Sequence, residues 1–328
     1  MQRRPSLAVH RGFTLIEVAA SIAIAAVITT AALSTTVSLH RQFVTNRKLV
    51  AMSDDVRVTL DHVLTRVRNV GGGPVRPWQA LSLSCGVDPA HPLPACDLPN
   101  RKGRLHVALL DPQLQGVIAS ATSSAIEVEK VSGVCPLSGG ITPVVIFPPE
   151  SKLAALGGPA WRTGVCIPTT GSSCKCELVA GGNAVGFSVP GASTPLTDAM
   201  LTGGVVISGR VSTFYVDPTS EALSVLTDLQ RLNKAERTNL IPNLAAFQAQ
   251  LGYDVDGDGA LDSPLRTSQL NSAPQALRSV RVGVALSRKA ADQRTRTAPF
   301  FETTISTAGE MAVSLEGTAF MRANGVFQ

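Results

Sequence analysis

The chain has 328 residues, 44% of them hydrophobic, 16% charged and 4% aromatic, with a mean hydropathy of +0.19. That excludes a disordered tail and leaves room for one large domain or two ordinary ones with a real core. Its 29 Lys and Arg exceed 24 Asp and Glu, but Arg3, Arg4 and Arg11 lie in the first twelve residues. Without them the balance is 26 to 24, too even for a phosphate-binding stripe.

After the basic start (residues 1–12) comes an apolar run, residues 13–39, whose only charged residue is Glu17. As a helix it spans roughly 40 Å, enough for a hydrocarbon core of about 30 Å. A secretory signal would have a shorter apolar region and an A-x-A-like boundary, and this run has neither. The arginine-bearing start is the cytoplasmic anchor, so a single span is expected to place the rest of the chain across the membrane. Neither Gly nor Pro occurs between residues 13 and 70, so nothing local breaks the helix. Over residues 40–70, Leu49, Met52, Val56, Leu60, Val63 and Val67 recur every three or four positions. They predict an amphipathic continuation with Arg47, Lys48, Asp54, Asp55 and Arg57 largely turned away. Gly71-Gly72-Gly73-Pro74 stops it. The expectation is one helix of about 57 residues, roughly 85 Å long, lipid-embedded at one end and packed on a globular body at the other.

A carboxylate four residues into such a span costs about 2.5–3.5 kcal/mol, so Glu17 either snorkels to the interface or has a partner. The residues around it, Arg11-Gly12-Phe13-Thr14-Leu15-Ile16-Glu17, resemble the N-terminal box of the type IV pilin superfamily. That resemblance implies cleavage by a prepilin peptidase between Gly12 and Phe13, methylation of the Phe13 amine, and a role for Glu17 in assembly. Glu17 would hold the amine of a neighbouring subunit or its own, a charge pair favoured in lipid over either charge alone. The fold implied is α+β and type IV pilin-like, a long N-terminal membrane-spanning helix packed on an antiparallel β-sheet domain.

Residues 71–328 form the expected exported body, with short apolar runs separated by Gly, Pro, Ser and Asn. Val144-Val145-Ile146-Phe147, Val205-Val206-Ile207 and the run from Val211 to Val216 read as strands. Phe247, Ala249, Leu251 and Tyr253 alternate with polar or small residues, as do Val280, Val282, Val284 and Leu286, each series predicting a half-buried strand. Residues 234–239 could form a short helix. The simplest core is an antiparallel sheet packed on the helix.

All six cysteines, Cys85, Cys96, Cys135, Cys166, Cys174 and Cys176, fall between residues 85 and 176. In an exported protein an even count reads as disulfides, with 15 pairings for six cysteines. Cys85–Cys96 is favoured by proximity, and Cys174 and Cys176 are too close to bridge each other, so they are expected to reach different partners. Zinc, the rival use, wants C-x₂₋₄-C pairs that this segment lacks. Residues 75–180, rich in Gly, Pro and Ser, are expected to be a loop-rich lobe, stapled because it lacks a dense core.

Asp254-Val-Asp256-Gly-Asp258-Gly259-Ala260-Leu-Asp262 places oxygen ligands at loop positions 1, 3 and 5 and Gly at 6, as a Ca²⁺ loop requires. The Ala260 carbonyl falls at position 7 and Asp262 at 9. Position 12 is Leu265 rather than Glu, so Asp262 would have to supply the bidentate carboxylate. The alternative is a solvated Asp-Gly turn. Four aspartates in nine residues repel one another without a cation, which favours structural Ca²⁺.

Catalytic constellations are absent: the histidines (His10, His40, His62, His91, His106) are dispersed, and no H-E-x-x-H, G-x-S-x-G, P-loop or G-x-G-x-x-G occurs. An enzyme is not expected. Residues 247–262 (FQAQLGYDVDGDGALD), the Val-Arg strand at residues 279–288 and the ending Phe320-Met321-Arg322-Ala-Asn324 are similar to the PilW group of minor pilins. That similarity implies a minor pilin that primes pilus assembly at or near the tip. Its implied partners are other minor and major pilins, the prepilin peptidase, the assembly machinery and a tip adhesin. It would pass from the inner membrane, with its body in the periplasm, to an extracellular pilus serving adhesion and motility. A minor pseudopilin of type II secretion shares the same N-terminal chemistry. A DNA-uptake pilin would want a basic, aromatic-bearing patch, which two tyrosines and a near-neutral mature charge do not suggest.

Overall fold

The computed structural model describes residues 14–71, 74–84, 104–122, 124–130, 135–137, 140–156, 161–168, 174–179, 197–217, 220–231, 234–262, 265, 274–289, 297–301, 303–305 and 310–321. The leader, Gly12, Phe13, Cys85, Cys96, His91 and the final Arg322 and Asn324 lie outside them. Helix α1, Leu15–Arg68, is unbroken for 54 residues, about 80 Å by helical rise. Residues 14–43 are exposed throughout, and the best window there has a mean hydropathy of 2.1. Below them Met52, Val56, Leu60, Val63 and Val67 are buried as the periodicity requires, joined by Thr45, Thr59 and Leu64. Leu49 is half-buried, and Arg47, Lys48, Asp54, Asp55 and Arg57 face outward.

Among the described residues the body has two main antiparallel sheets instead of the single one expected. A three-stranded sheet has the order β10-β11-β14 (Leu244–Tyr253, Leu277–Lys289 and Glu310–Phe320). It carries the C-terminal half of α1, which packs mainly on β14 and β11. The alternation read from the sequence places Phe247, Leu251, Val280, Val282, Val284 and Leu286 in the core shared with α1. The other face of β11 is covered as well, because Phe300 and Phe301, at the end of β12 (Ala298–Phe300), close over Ala285. Strand β13 (Thr303–Ile305) pairs with β12. A Cβ at Gly317 on β14 would lie 2.5 Å from Leu64 Cδ1, so the bare glycine lets the helix approach the strand.

The nine-stranded sheet has the order β1-β2-β3-β6-β5-β4-β7-β8-β9 with an added β2–β7 pairing. Its strands are β1 Leu81–Ser84, β2 Arg104–Ala121, β3 Ala125–Val128, β4 Thr142–Phe147, β5 Arg162–Pro168, β6 Lys175–Val179, β7 Val205–Asp217, β8 Ala222–Arg231 and β9 Lys234–Ile241. Strand β7 joins the two apolar runs at Val205 and Val211 into one. At residues 205–208 it pairs with β4 on one side and β2 on the other. The ladder β2-β3-β6-β5-β4-β7 therefore closes on itself as a six-stranded barrel. Helix α3 (Asp198–Leu201) adds Leu201 to its interior.

The nine-stranded sheet corrects two expectations. Residues 75–180 are not a coreless lobe: Ile118, Ile126, Val128, Val144, Ile146 and Val206 pack inside as a second core. Their neighbours Val145, Phe147 and Ile207 point the other way, into the main core with Trp161 and, from α2 (Glu150–Leu156), Leu153. A continuous apolar run such as Val144–Phe147 thus reflects a strand buried on both faces. Residues 234–239 form an edge strand rather than a helix, paired with β8. Arg237, Thr238 and Asn239 are exposed on it, which gives the charged, polar composition typical of sheet edges.

Candidate functional site

Thr14 caps α1. Its Oγ1 accepts from the Glu17 N–H at 3.4 Å, while the Glu17 carboxylate accepts from the Thr14 N–H at 2.9 Å and its hydroxyl at 3.1 Å. This reciprocal box satisfies donors that the first helical turn leaves open. It also turns the only charge of residues 14–39 back toward the helix start, where an anionic group can receive a cation. The hydroxyls further along donate to carbonyls one turn back: Ser21 to Glu17 at 2.8 Å, Thr29 to Ala25 at 2.7 Å and Thr35 to Ala31 at 2.9 Å. A polar group satisfied within its own helix is what a hydrocarbon surrounding demands.

The aspartate loop leaves the end of β10. The Asp254 N–H donates to the Ala276 carbonyl (2.9 Å), which ties the loop to the start of β11. Asp256 Oδ1 accepts from the Asp258 N–H (3.2 Å) and Asp258 Oδ1 from the Ala260 N–H (2.7 Å). Gly257 and Gly259 have φ of +78° and +88°, in the left-handed region that glycine enters freely. The carboxylates of Asp254, Asp256 and Asp258 lie within 4.8 Å of one another. Asp262 is not in that group. Its Oδ2 accepts from the Val255 N–H at 2.7 Å, and its N–H donates to the Tyr253 carbonyl at 2.7 Å, so it closes the loop's base. Leu265 follows without a role in the cluster. Sequence reasoning missed Arg278, whose Nε is 3.5 Å from Asp254 Oδ2. It lies across a strand connection, and no local pattern marks it.

Among the described residues the cysteines pair as Cys135–Cys174 and Cys166–Cys176, so the two thiols of the C-x-C segment reach different partners. Cys166, Cys174 and Cys176 are buried in the barrel interior. His106 is also buried, with Nδ1 2.9 Å from Thr213 Oγ1. Burial, and then the charge of Arg104, hold its pKa down at about 3.

The long apolar helix, its reciprocally capped start and the antiparallel body beneath it give the α+β arrangement expected from the sequence. Residues 8–33 match the family described as the prokaryotic N-terminal methylation motif. That match covers the start of the long apolar helix, so the chain carries the N-terminal methylation motif at the place where its sequence resembles the pilin box. Among curated proteins, none matches the chain. Among solved structures, a type IV-like pilin from Thermus thermophilus aligns with 56% of this chain and 84% of its own, at 9% identity and a TM-score of 0.23.

Proposed function

We propose that this chain is a minor pilin, cut between Gly12 and Phe13, methylated at Phe13 and inserted at or near the tip of a type IV pilus. The observation that carries the reading is the division of α1. Residues 14–43 are largely apolar and have no partner surface among the described residues, whereas the C-terminal half is seated on the body. Such a half-helix suits lipid before assembly and the packed helices of a filament afterwards. In that setting Glu17 receives the amine of a neighbouring subunit, and the arginine-bearing leader keeps the N-terminus cytoplasmic while the body is periplasmic. The placement among PilW-like minor pilins draws on the Gly252-Tyr253 step, the aspartate loop and the Val-Arg strand, which are consecutive parts of one sheet. A body with two cores is bulky, and the end of a filament offers it the most room. The subunit acts by packing against other pilins rather than by catalysis.

Mass spectrometry of sheared filaments tests this directly. The expected mature chain starts at N-methylated Phe13. Glu17→Ala should still insert and lose its leader, since removing a charge makes the span more apolar, yet it should be missing from filaments. Full-length chain in filaments, or incorporation of the variant at the wild-type level, overturns the proposal.

A further inference from the structure

We infer that the Asp254–Asp262 loop is a calcium site formed by the carboxylates of Asp254, Asp256 and Asp258 with the Ala260 carbonyl. In it Asp262 positions the loop instead of ligating. Three exposed aspartates alone would say little. The deciding observation is Asp254, which is only 6% exposed and whose Oδ1 is buried without a hydrogen-bond partner. A buried carboxylate oxygen left unsatisfied is costly, and this carboxylate belongs to the cluster of three that converge within 4.8 Å. Arg278 reaches Asp254 Oδ2 alone, and one guanidinium beside a four-aspartate loop leaves most of the charge uncompensated.

The ligand chemistry selects the ion. Carboxylate and carbonyl oxygens without nitrogen or sulfur suit a hard cation. Calcium accepts six to eight oxygens in irregular geometry, whereas magnesium demands a near-ideal octahedron and gives up its water reluctantly. A short loop whose ligands are fixed by two left-handed glycines meets the first requirement more readily than the second. Asp262 has a different task. By accepting from the Val255 N–H and donating its own N–H to the Tyr253 carbonyl, it pins the two ends of the loop together, so its effect on the ion runs through loop closure.

The loop joins the end of β10 to the segment that leads into β11, one of the two strands on which α1 mainly sits. Ion binding therefore reports on the stability of the body as a whole, and the inference holds whatever the fate of the N-terminus.

The test uses the full chain in detergent micelles, dialysed against calcium chloride with metal analysis and followed by thermal unfolding. One calcium per chain is expected, with Kd of about 10⁻⁴–10⁻³ M, the range of exported modules, together with a higher melting temperature than in chelator. Asp256→Asn with Asp258→Asn, both at exposed positions, should weaken binding at least about tenfold and erase the melting shift, while helix content and leader processing stay unchanged. Asp262→Asn should weaken binding while keeping the one-to-one stoichiometry. Absence of saturable uptake at millimolar calcium, undiminished binding in the double variant, or equal affinity for magnesium chloride overturns the inference.

Discussion

His106 makes the body sensitive to acid through a single buried ring. It sits on β2 opposite Ser82 of β1 and Thr213 of β7, and its pKa is depressed from 6.5 to about 3 by burial and then by Arg104. The unfolded chain takes up a proton on this ring below about pH 6.5, while the folded chain refuses it until about pH 3. Stability is therefore complete above pH 6.5 and declines as the pH falls through that window, by about 1.4 kcal/mol per pH unit at most. Between about pH 7 and pH 5 the loss is about 2 kcal/mol, read as a lower melting temperature. Half-buried His62 on α1 moves the same way, through burial and then Arg66, and adds a smaller share. His106→Gln should melt lower than wild type at neutral pH, having lost the fitted ring. Its melting temperature should nevertheless change far less between pH 7 and pH 5. An equally steep decline in the variant would assign the acid sensitivity to other groups.

Helix α1 shows how one element serves two surroundings. Met52 is fully buried beneath the three-stranded sheet, while Val58, less than two turns on, is 71% exposed. Met52→Ala should destabilise the body by about 2–5 kcal/mol through lost transfer and a cavity, and Val58→Ala should stay within about 0.5 kcal/mol. Denaturant titration of the two variants measures the contrast, and equal costs would mean that the helix is seated on another face. This element was legible because a 3.6-residue period and an unbroken absence of Gly and Pro are local properties. Strands β10 and β11 were legible for the same reason, through their alternation. Strand β2 was not: Pro112 and Gly116 interrupt its pattern, and the ladder absorbs the irregularity as a register shift between Asp111 and Gln115. Edge strand β9 failed differently, since Lys, Glu and Arg in sequence suit an exposed helix as well as a solvated sheet edge. In the aspartate loop the spacing of Asp254, Asp256 and Asp258 was readable, but Arg278 and the actual use of Asp262 depend on contacts that sequence distance conceals.

At the scale of the molecule the body has two cores that share strands β2, β4 and β7, and no local pattern announces a barrel, because closure depends on which distant edges meet. Four cysteine sulfurs belong to the barrel. Cys135–Cys174 spans 39 residues of sequence and Cys166–Cys176 spans 10, which by loop entropy contribute about 4 and about 3 kcal/mol respectively. Cys166–Cys176 ties β5 to β6 and Cys135–Cys174 ties the connection between β3 and β4 to the start of β6, whereas α1 meets the three-stranded sheet through apolar packing of residues such as Val63, Val280 and Val284. Reduction should therefore loosen the two halves unequally. In hydrogen-exchange mass spectrometry of the full chain in detergent, reductant should speed exchange in β3, β5 and β6 well before it affects β11 and the lower half of α1. Replacing Cys135 and Cys174 together by alanine should reproduce the larger part of that change without reductant, because it opens the longer loop. Shared strands β2 and β7 should show intermediate protection, each losing it where it borders the barrel interior and keeping it beside β1 and β8. Simultaneous loss of protection in both halves would mean that the barrel and the helix-bearing sheet unfold as one cooperative unit, with the disulfides stabilising the whole body rather than its barrel.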